Sequence, residues 1–179
     1  LVLGVEKLPF AKLLAPLEDF AINLGGTMGS LGTQEEALIF KTDKGNIAPV
    51  ICYESIYGDY VTDYINKGAD AIFIITNDGW WEDTPGYKQH LTYAQLRSIE
   101  TRRSIARSAN TGISCTVNQK GEVKNKTQWW KQDVISATIN LNTKTTIYTL
   151  YGDYIGRISA AIAVLLLLWN ISLYYKRKG

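Results

Sequence analysis

The sequence has little of what builds disulfide scaffolds or metal centres. Its 179 residues include only two cysteines, which are too few for a small domain held together by disulfides. One histidine and two cysteines far apart in the chain give no ligand cluster of the kind that holds zinc. The glycine-rich stretch at residues 25–30 lacks the lysine and the preceding strand of a phosphate-binding loop. We therefore expect no metal and no other cofactor.

The sequence also lacks an excess of charge. A net charge of +2 gives no sign of the basic stripe that nucleic-acid binding usually needs, so we expect no nucleic-acid partner. Hydrophobic residues make up 46% and charged residues 20% of the chain, which excludes a disordered protein. The chain starts at Leu1 rather than at a methionine, within what looks like a structured segment. We therefore expect it to be part of a longer protein.

The C-terminal region has no acidic residue after Asp153 and ends in a basic cluster, Lys176 to Lys178. Without that cluster the chain has 16 basic and 17 acidic residues, a net charge of −1. The 18 residues before it, 158–175, carry no charge, and a membrane-spanning helix needs about 20 apolar residues, with a lower limit of about 17. A buried core helix is the alternative, but such helices are rarely apolar on all sides and rarely end in a basic cluster. The sequence predicts a transmembrane helix at residues 156–175 and a basic tail at 176–179, which the positive-inside rule places in the cytoplasm.

Hydrophobic spacing before that helix predicts an alternation of strands and helices. Strands are expected at residues 37–40, 47–52, 71–76, 112–118 and 133–141, and helices at 13–24, 60–67 and 87–108. Loops or turns are expected at 25–32, 43–46, 77–86 and 119–122. Strands 47–52 and 71–76 are apolar at nearly every position, so burial on both faces is expected. The order predicts an α/β fold with at least one β-α-β crossover.

The candidate chemistry lies where the strand at residues 47–52 ends. Cys52 and Glu54 follow the hydrophobic residues directly, and α/β proteins build sites at the carboxyl ends of strands. A sharp turn there would expose the thiol and offer backbone N–H groups to an oxyanion. The same pattern also fits a small cysteine that only fills space in the core. Cys115, inside a predicted strand, is interpreted as core packing.

A nucleophilic cysteine normally needs a base. His90 is the only histidine, and it either pairs with Cys52 or lines the loop that holds Trp80 and Trp81. Without a histidine the base is a carboxylate, with Glu6 and Glu54 as the candidates. The paired tryptophans at 80–81 and 129–130 are either core residues or, next to a membrane, contacts with its interface.

Four segments together resemble the second half of a nitrilase-superfamily domain. They are Cys52-Tyr53-Glu54, Asn77-Asp78-Gly79-Trp80, Arg97-Ser98-Ile99-Glu100 and the run from Arg107 to Ser114. With the C-terminal apolar segment and the Gln89-His90 pair, the chain resembles the apolipoprotein N-acyltransferases, a membrane-bound branch of that superfamily. The first six residues resemble the segment after the family's catalytic lysine, although Leu3 stands where a proline is usual. Glu6 matches the family's second essential glutamate.

The resemblance implies a fold and a reaction. Residues 1–155 would be the C-terminal part of a nitrilase-like α-β-β-α sandwich, followed by one transmembrane helix. Cys52 would take an acyl chain from a phospholipid as a thioester and pass it to the N-terminal diacylglyceryl-cysteine of an apolipoprotein. Glu6 and Glu54 would support the site by hydrogen bonding. Tyr53, Asn77, Trp80 and His90 would contact the substrates, with Trp80 at the lipid entrance.

The resemblance also implies what surrounds the chain. The general base and the catalytic lysine would precede Leu1, so we expect the 179 residues alone to be inactive. The protein would be a monomer in the bacterial inner membrane, with its catalytic domain in the periplasm. Three alternatives remain open: an amidase acting on a small soluble amide, a non-catalytic membrane-tethered interaction domain, and an acyltransferase that modifies something other than lipoproteins.

Overall fold

The computed structural model describes residues 36–178. The helix predicted at residues 13–24, the loop at 25–32 and the candidate residue Glu6 lie outside the described residues.

A six-stranded sheet forms the centre of the domain, and its strands lie side by side in chain order. The three strands β2, β3 and β4 are parallel, and β1, β5 and β6 extend the sheet at its two sides by antiparallel pairing. The strands are β1 (Phe40–Thr42), β2 (Gly45–Ile51), β3 (Ala71–Asn77), β4 (Ser104–Asn110), β5 (Cys115–Val117) and β6 (Val123–Lys124). The predicted α/β class is confirmed, and the chain makes two crossovers between parallel strands.

Each crossover consists of a short 3₁₀ turn followed by a helix. The turn Cys52–Ile56 and helix α1 (Gly58–Asn66) connect β2 to β3, and the turn Asp78–Trp81 and helix α2 (Gly86–Thr101) connect β3 to β4. Both helices bury apolar side chains in one core with the sheet, which includes Val61 of α1, Leu91 of α2 and Ile74 of β3. Two further helices follow, α3 (Ile147–Tyr151) and α4 (Tyr154–Lys178).

The second face of the sheet is only partly covered within the described residues, so β2 and β3 are not buried on both faces in this part of the chain. Ile72 and Ile74 are buried under the helices, whereas Phe73 and Ile75 on the other face are 39% and 60% exposed. Apolar residues on both faces of a strand indicate a sheet that is sandwiched between two layers. In an α-β-β-α sandwich, the exposed face is the one that a second sheet covers.

The long helix predicted at residues 87–108 is corrected by the structure. Helix α2 ends at Thr101, Arg102 adopts a left-handed conformation with φ of 53°, and residues 104–110 form β4. Neither glycine nor proline lies between Tyr87 and Asn110 to mark the break, and arginine favours helices. Tertiary pairing decides the outcome, because β4 pairs in parallel with β3 and in antiparallel with β5.

The strand predicted at residues 133–141 is also absent, because residues 131–146 have no regular secondary structure. The alternating apolar residues of this segment lie over the exposed sheet face instead. Ile135 and Ile139 line a cavity of about 480 Å³ together with Phe73 and Ile75. Apolar alternation here reflects contact with a sheet face rather than membership of a sheet.

Helix α4 confirms the predicted C-terminal apolar helix. Within the described part of the chain it is the one helix long and apolar enough to cross a membrane, over Tyr154–Arg177. Its side chains are almost all exposed rather than packed on the domain.

Candidate active site at the carboxyl ends of the parallel strands

Three parallel strands bring their carboxyl ends to one edge of the sheet. β2 ends directly before Cys52, and β3 ends at Asn77, which is paired in register with Asn110 at the end of β4. Because loops at this edge lie close together, side chains from distant parts of the sequence meet there. The predicted site residues Cys52, Asn77 and Trp80 all lie at this edge.

Cys52 occupies a sharp turn. It is the first residue of the 3₁₀ turn and has φ of 49°, in the left-handed region that non-glycine residues seldom adopt. Its side chain is half-buried, and its Sγ lies 3.2 Å from the hydroxyl of Thr76 on β3. Strained residues of this kind persist where the surrounding structure holds them, and they cluster at functional sites.

Glu54 stabilises the turn that carries Cys52. One oxygen of its carboxylate accepts a hydrogen bond of 2.8 Å from the backbone N–H of Ile51, the last residue of β2. The phenol of Tyr60 is close to the same carboxylate. Burial, a hydrogen bond with Tyr64 and the negative charge of Glu54 together raise the pKa of Tyr60. This geometry supports the predicted role of Glu54 as a supporting residue.

A buried charged cluster lies beneath the turn. Asp78 is fully buried and accepts hydrogen bonds from Arg107 at 2.7 Å and from the Nδ1 side of His90 at 2.9 Å. Burial acts to raise the pKa of Asp78, but the hydrogen bond with His90 and the positive charge of Arg107 outweigh it and lower that pKa. Asp78 is therefore held as a carboxylate, and it anchors elements from β3, α2 and β4 together.

His90 joins this cluster to the main chain of the turn. Its Nε2 lies 3.0 Å from the hydroxyl of Ser55 and 3.2 Å from the carbonyl oxygen of Cys52. The ring is only 3% exposed, and it faces the Cys52 carbonyl rather than the thiol. This position suits a residue that holds the strained turn, and contact of His90 with a substrate stays a prediction.

Aromatic side chains surround the exposed side of the site. The ring of Tyr53 stacks on that of Trp81 with centroids 6.3 Å apart, and Tyr57 packs edge-on at 6.1 Å. Trp80 is 78% exposed. Asn77 is also exposed, and its side-chain oxygen accepts a hydrogen bond from the backbone N–H of Gly79. An exposed aromatic rim of this type offers apolar contact area to a lipid or peptide.

Each tryptophan pair is divided between core and surface: the interpretation as core residues is confirmed for one member of each pair, and contact of the other member with a membrane interface stays a prediction. Trp81 and Trp129 pack against the core, and Trp129 also stacks on Tyr87 with centroids 5.5 Å apart. Trp80 and Trp130 are 78% and 61% exposed.

The interpretation of Cys115 as core packing is confirmed. The residue is 2% exposed, and burial raises the pKa of its thiol to about 11. A thiol in that state is protonated at neutral pH and is a poor nucleophile.

Sequence reasoning missed four residues of the site: Ser55, Thr76, Asp78 and Arg107. Asp78 lies inside the Asn77-Asp78-Gly79-Trp80 segment named above. Thr76 is the last residue of β3 whose side chain points to the buried face of the sheet. Arg107 lies in the segment that the sequence predicts as a helix, so the sequence does not place it at the carboxyl edge of the sheet. No three metal-binding side chains come together among residues 36–178.

The chain also matches a known protein family. A family model described as carbon-nitrogen hydrolase matches residues 9–148. The chain belongs to the carbon-nitrogen hydrolase family. A solved carbon-nitrogen hydrolase from Helicobacter pylori G27 has the same fold at a TM-score of 0.56 and 15% identity, over 62% of this chain and 45% of that one.

Curated relatives of this carbon-nitrogen hydrolase chain share a more specific name. The apolipoprotein N-acyltransferase of Chlorobaculum tepidum is 32% identical over 167 residues, which cover 91% of this chain and 31% of that protein. The apolipoprotein N-acyltransferase of Rhizobium meliloti is 41% identical over 118 residues, 65% of this chain and 22% of that protein. The chain thus spans less than a third of the length of these relatives.

Proposed function

We propose that the protein containing this chain is a membrane-bound N-acyltransferase that moves an acyl chain from a phospholipid to the N-terminal diacylglyceryl-cysteine of apolipoproteins. The observation that carries the proposal is the position of Cys52, in a strained turn at the carboxyl edge of the sheet and beside the Thr76 hydroxyl. The family match, the names of the relatives and the apolar helix α4 support a lipid substrate.

The reaction has two displacements at one sulfur atom. The Cys52 thiolate attacks the ester carbonyl of the phospholipid, the C–S bond forms, and the ester C–O bond breaks as the lysophospholipid leaves and takes up a proton. The α-amino group of the acceptor then attacks the thioester. A C–N bond forms, the C–S bond breaks, and the proton lost by the amine balances the thiolate that is released.

In this proposal the described residues supply the nucleophile and the residues that hold its turn, but not the general base or the oxyanion-binding lysine. Glu54 and His90 hold the turn through Ile51 and Ser55. Tyr53, Asn77 and Trp80 would contact the substrates, and the exposure of the Trp80 ring supports its contact with an acyl chain. We assign the general base and an oxyanion-binding lysine to residues before Leu1 and a supporting role to Glu6, so the 179 residues alone are expected to be inactive.

The charge distribution supports one orientation in the membrane. The basic residues at 176–178 would lie on the cytoplasmic side, and the domain at residues 1–155 would lie in the periplasm of a bacterial inner membrane. Lipoprotein acceptors and phospholipid donors are both accessible at that surface.

An acyl-adduct experiment tests the nucleophile. The full-length protein in detergent is incubated with phospholipid and analysed by intact mass, and hydroxylamine is used to cleave thioesters. We expect an adduct that is lost in Cys52→Ser and retained in the matched variant Cys115→Ala. An adduct that persists in Cys52→Ser would refute the assignment, and one on the isolated 179 residues would refute their inactivity.

A further inference from the structure

The short helix α3 has one apolar side that nothing in the described structure covers. Ile147, Leu150 and Tyr151 are 65%, 62% and 63% exposed. Their spacing of i, i+3 and i+4 places them on the same side of a helix. We call these three residues the α3 face.

The opposite side of α3 is fixed to the domain. Thr149 is 2% exposed, and its carbonyl accepts a hydrogen bond of 3.2 Å from the side chain of Asn66 on α1. The Thr146 hydroxyl before the helix donates to the carbonyl of Glu100 on α2. Because these contacts hold one side of the helix against the domain, the α3 face has a fixed direction relative to the domain.

The connection from α3 to the apolar helix is short and held in place. Only Gly152 and Asp153 separate the two helices. Gly152 has φ of 61°, and the backbone N–H of Asp153 donates to the carboxylate of Asp59 on α1 at 3.2 Å. The domain is therefore joined to the start of α4 by a hydrogen-bonded turn rather than by a free linker.

We propose that the α3 face lies in the interfacial layer of the bilayer that α4 crosses. The occupant is lipid because the face continues directly into the apolar helix, whose first residues must enter that same layer. Isoleucine and leucine gain from contact with acyl chains, and tyrosine is favoured at the level of the headgroups. The inference rests on the part of the proposed function that makes α4 a membrane span.

The position of α3 also bears on the candidate active site around Cys52. The 3₁₀ turn that begins with Cys52 ends at Ile56, and Ile56 and Gly58 line a pocket shared with Tyr148 of α3. An interfacial α3 would hold this side of the domain against the membrane surface. The carboxyl edge of the sheet would then be presented to lipid in one orientation.

Spin labelling tests the depth of α3 directly. The full-length protein, in a background of Cys52→Ser and Cys115→Ala, is reconstituted into phosphatidylcholine–phosphatidylglycerol vesicles. Single labels are placed at Leu150→Cys and Ile147→Cys, at Lys120→Cys as an aqueous control in the exposed turn before β6, and at Leu165→Cys as a reference inside α4. Collision with oxygen, which partitions into lipid, is compared with collision with a water-soluble nickel complex.

We expect the labels at 147 and 150 to show an oxygen-to-nickel ratio several-fold above that at 120 and below that at 165. Ratios equal to that at 120 would overturn the inference, because the face would then be in water. Protection from both reagents would overturn it as well, because the face would be covered by protein. If the label at 165 is also in water, the membrane span itself fails, whereas a lipid-exposed 165 with an aqueous 150 refutes only the role of α3.

Discussion

The hydroxyl of Thr76 lies 3.2 Å from Sγ of Cys52 and, at the same time, 3.1 Å from a carboxylate oxygen of Asp78. Thr76 is 5% exposed, and its single proton can be donated to only one of these acceptors at a time. When the thiol is protonated it can donate to Thr76, which then donates to Asp78. When the thiolate forms, the Thr76 proton can turn to the sulfur and stabilise its charge.

This relationship predicts that Thr76→Val slows the reaction of Cys52 with iodoacetamide. A hydrogen bond to a charged group contributes about 1.5 kcal/mol or more, which corresponds to a rate about tenfold lower at neutral pH. Thr76→Ser keeps the hydroxyl and is expected to react within about twofold of the unmodified protein on the same reasoning. Equal rates for the valine and serine variants would show that the hydroxyl does not act on the sulfur.

A second prediction concerns the buried pair of Asp78 and Arg107. Asp78→Asn removes the charge that compensates the buried guanidinium, and breaking a buried pair from one side destabilises a protein by about 3–5 kcal/mol. Chemical denaturation in detergent, followed by tryptophan fluorescence, measures the change. Asp83→Asn is the control, because Asp83 is exposed in the loop before α2, and its effect is expected within about 0.5 kcal/mol. Comparable effects of the two substitutions would argue against the cluster as a structural anchor.

The pH dependence of stability follows from the same carboxylate. The pKa of Asp78 is lowered in the folded protein from a reference value of 3.8, despite the opposing effect of burial. The contribution of Asp78 to the free energy of unfolding is therefore fully present above its unfolded pKa of about 4, and it is lost as the pH falls through its folded pKa. We expect the difference in Tm between the unmodified protein and Asp78→Asn to be constant above about pH 5 and to shrink below about pH 4. A difference that grows as the pH falls would contradict the direction of the shift.

The strained backbone at Cys52 gives a fourth prediction. Glycine adopts φ of 49° without the clash that a Cβ causes, whereas alanine keeps the strain. Cys52→Gly is therefore expected to be more stable than Cys52→Ala by about 1 kcal/mol, although glycine is less stable than alanine in most folded positions. Thermal denaturation of the two variants measures the difference. Greater stability of the alanine variant would show that the turn relaxes to an ordinary conformation.

The sequence predicts those parts of the fold that depend on local pattern. Four elements have a clear hydrophobic pattern of their own: the strands β2 and β3 and the helices α1 and α4. Each of them lies within a few residues of its predicted bounds. The position of Cys52 at a strand end follows from the same pattern. The assignment of the family draws on several segments at once, each of which is weak alone.

The parts that fail depend on contacts between distant residues. β4 carries one helix-favouring arginine, Arg107, and its place in the sheet is decided by pairing with β3 and β5. Arg107 could not be assigned to the site until β4 was recognised as a strand. His90 shows the same limit, because only the fold reveals that its ring contacts the carbonyl of Cys52 and the carboxylate of Asp78. Partners that are 12 or more residues apart leave no local signal in one sequence.

The two cysteines give a last prediction, on selective labelling. Burial raises the pKa of Cys115 to about 11, so only about one thiol in a thousand would be ionised there at pH 8, and the side chain is also closed to reagents. Alkylation of the native protein at pH 8 is therefore expected to modify Cys52 first and to leave Cys115 intact, as read by peptide mass spectrometry. In denaturant both cysteines should react at similar rates, which controls for intrinsic reactivity. Native labelling of Cys115 ahead of Cys52 would mean that β5 opens more readily than the turn after β2, and the assignment of Cys52 as the accessible thiol would then be wrong.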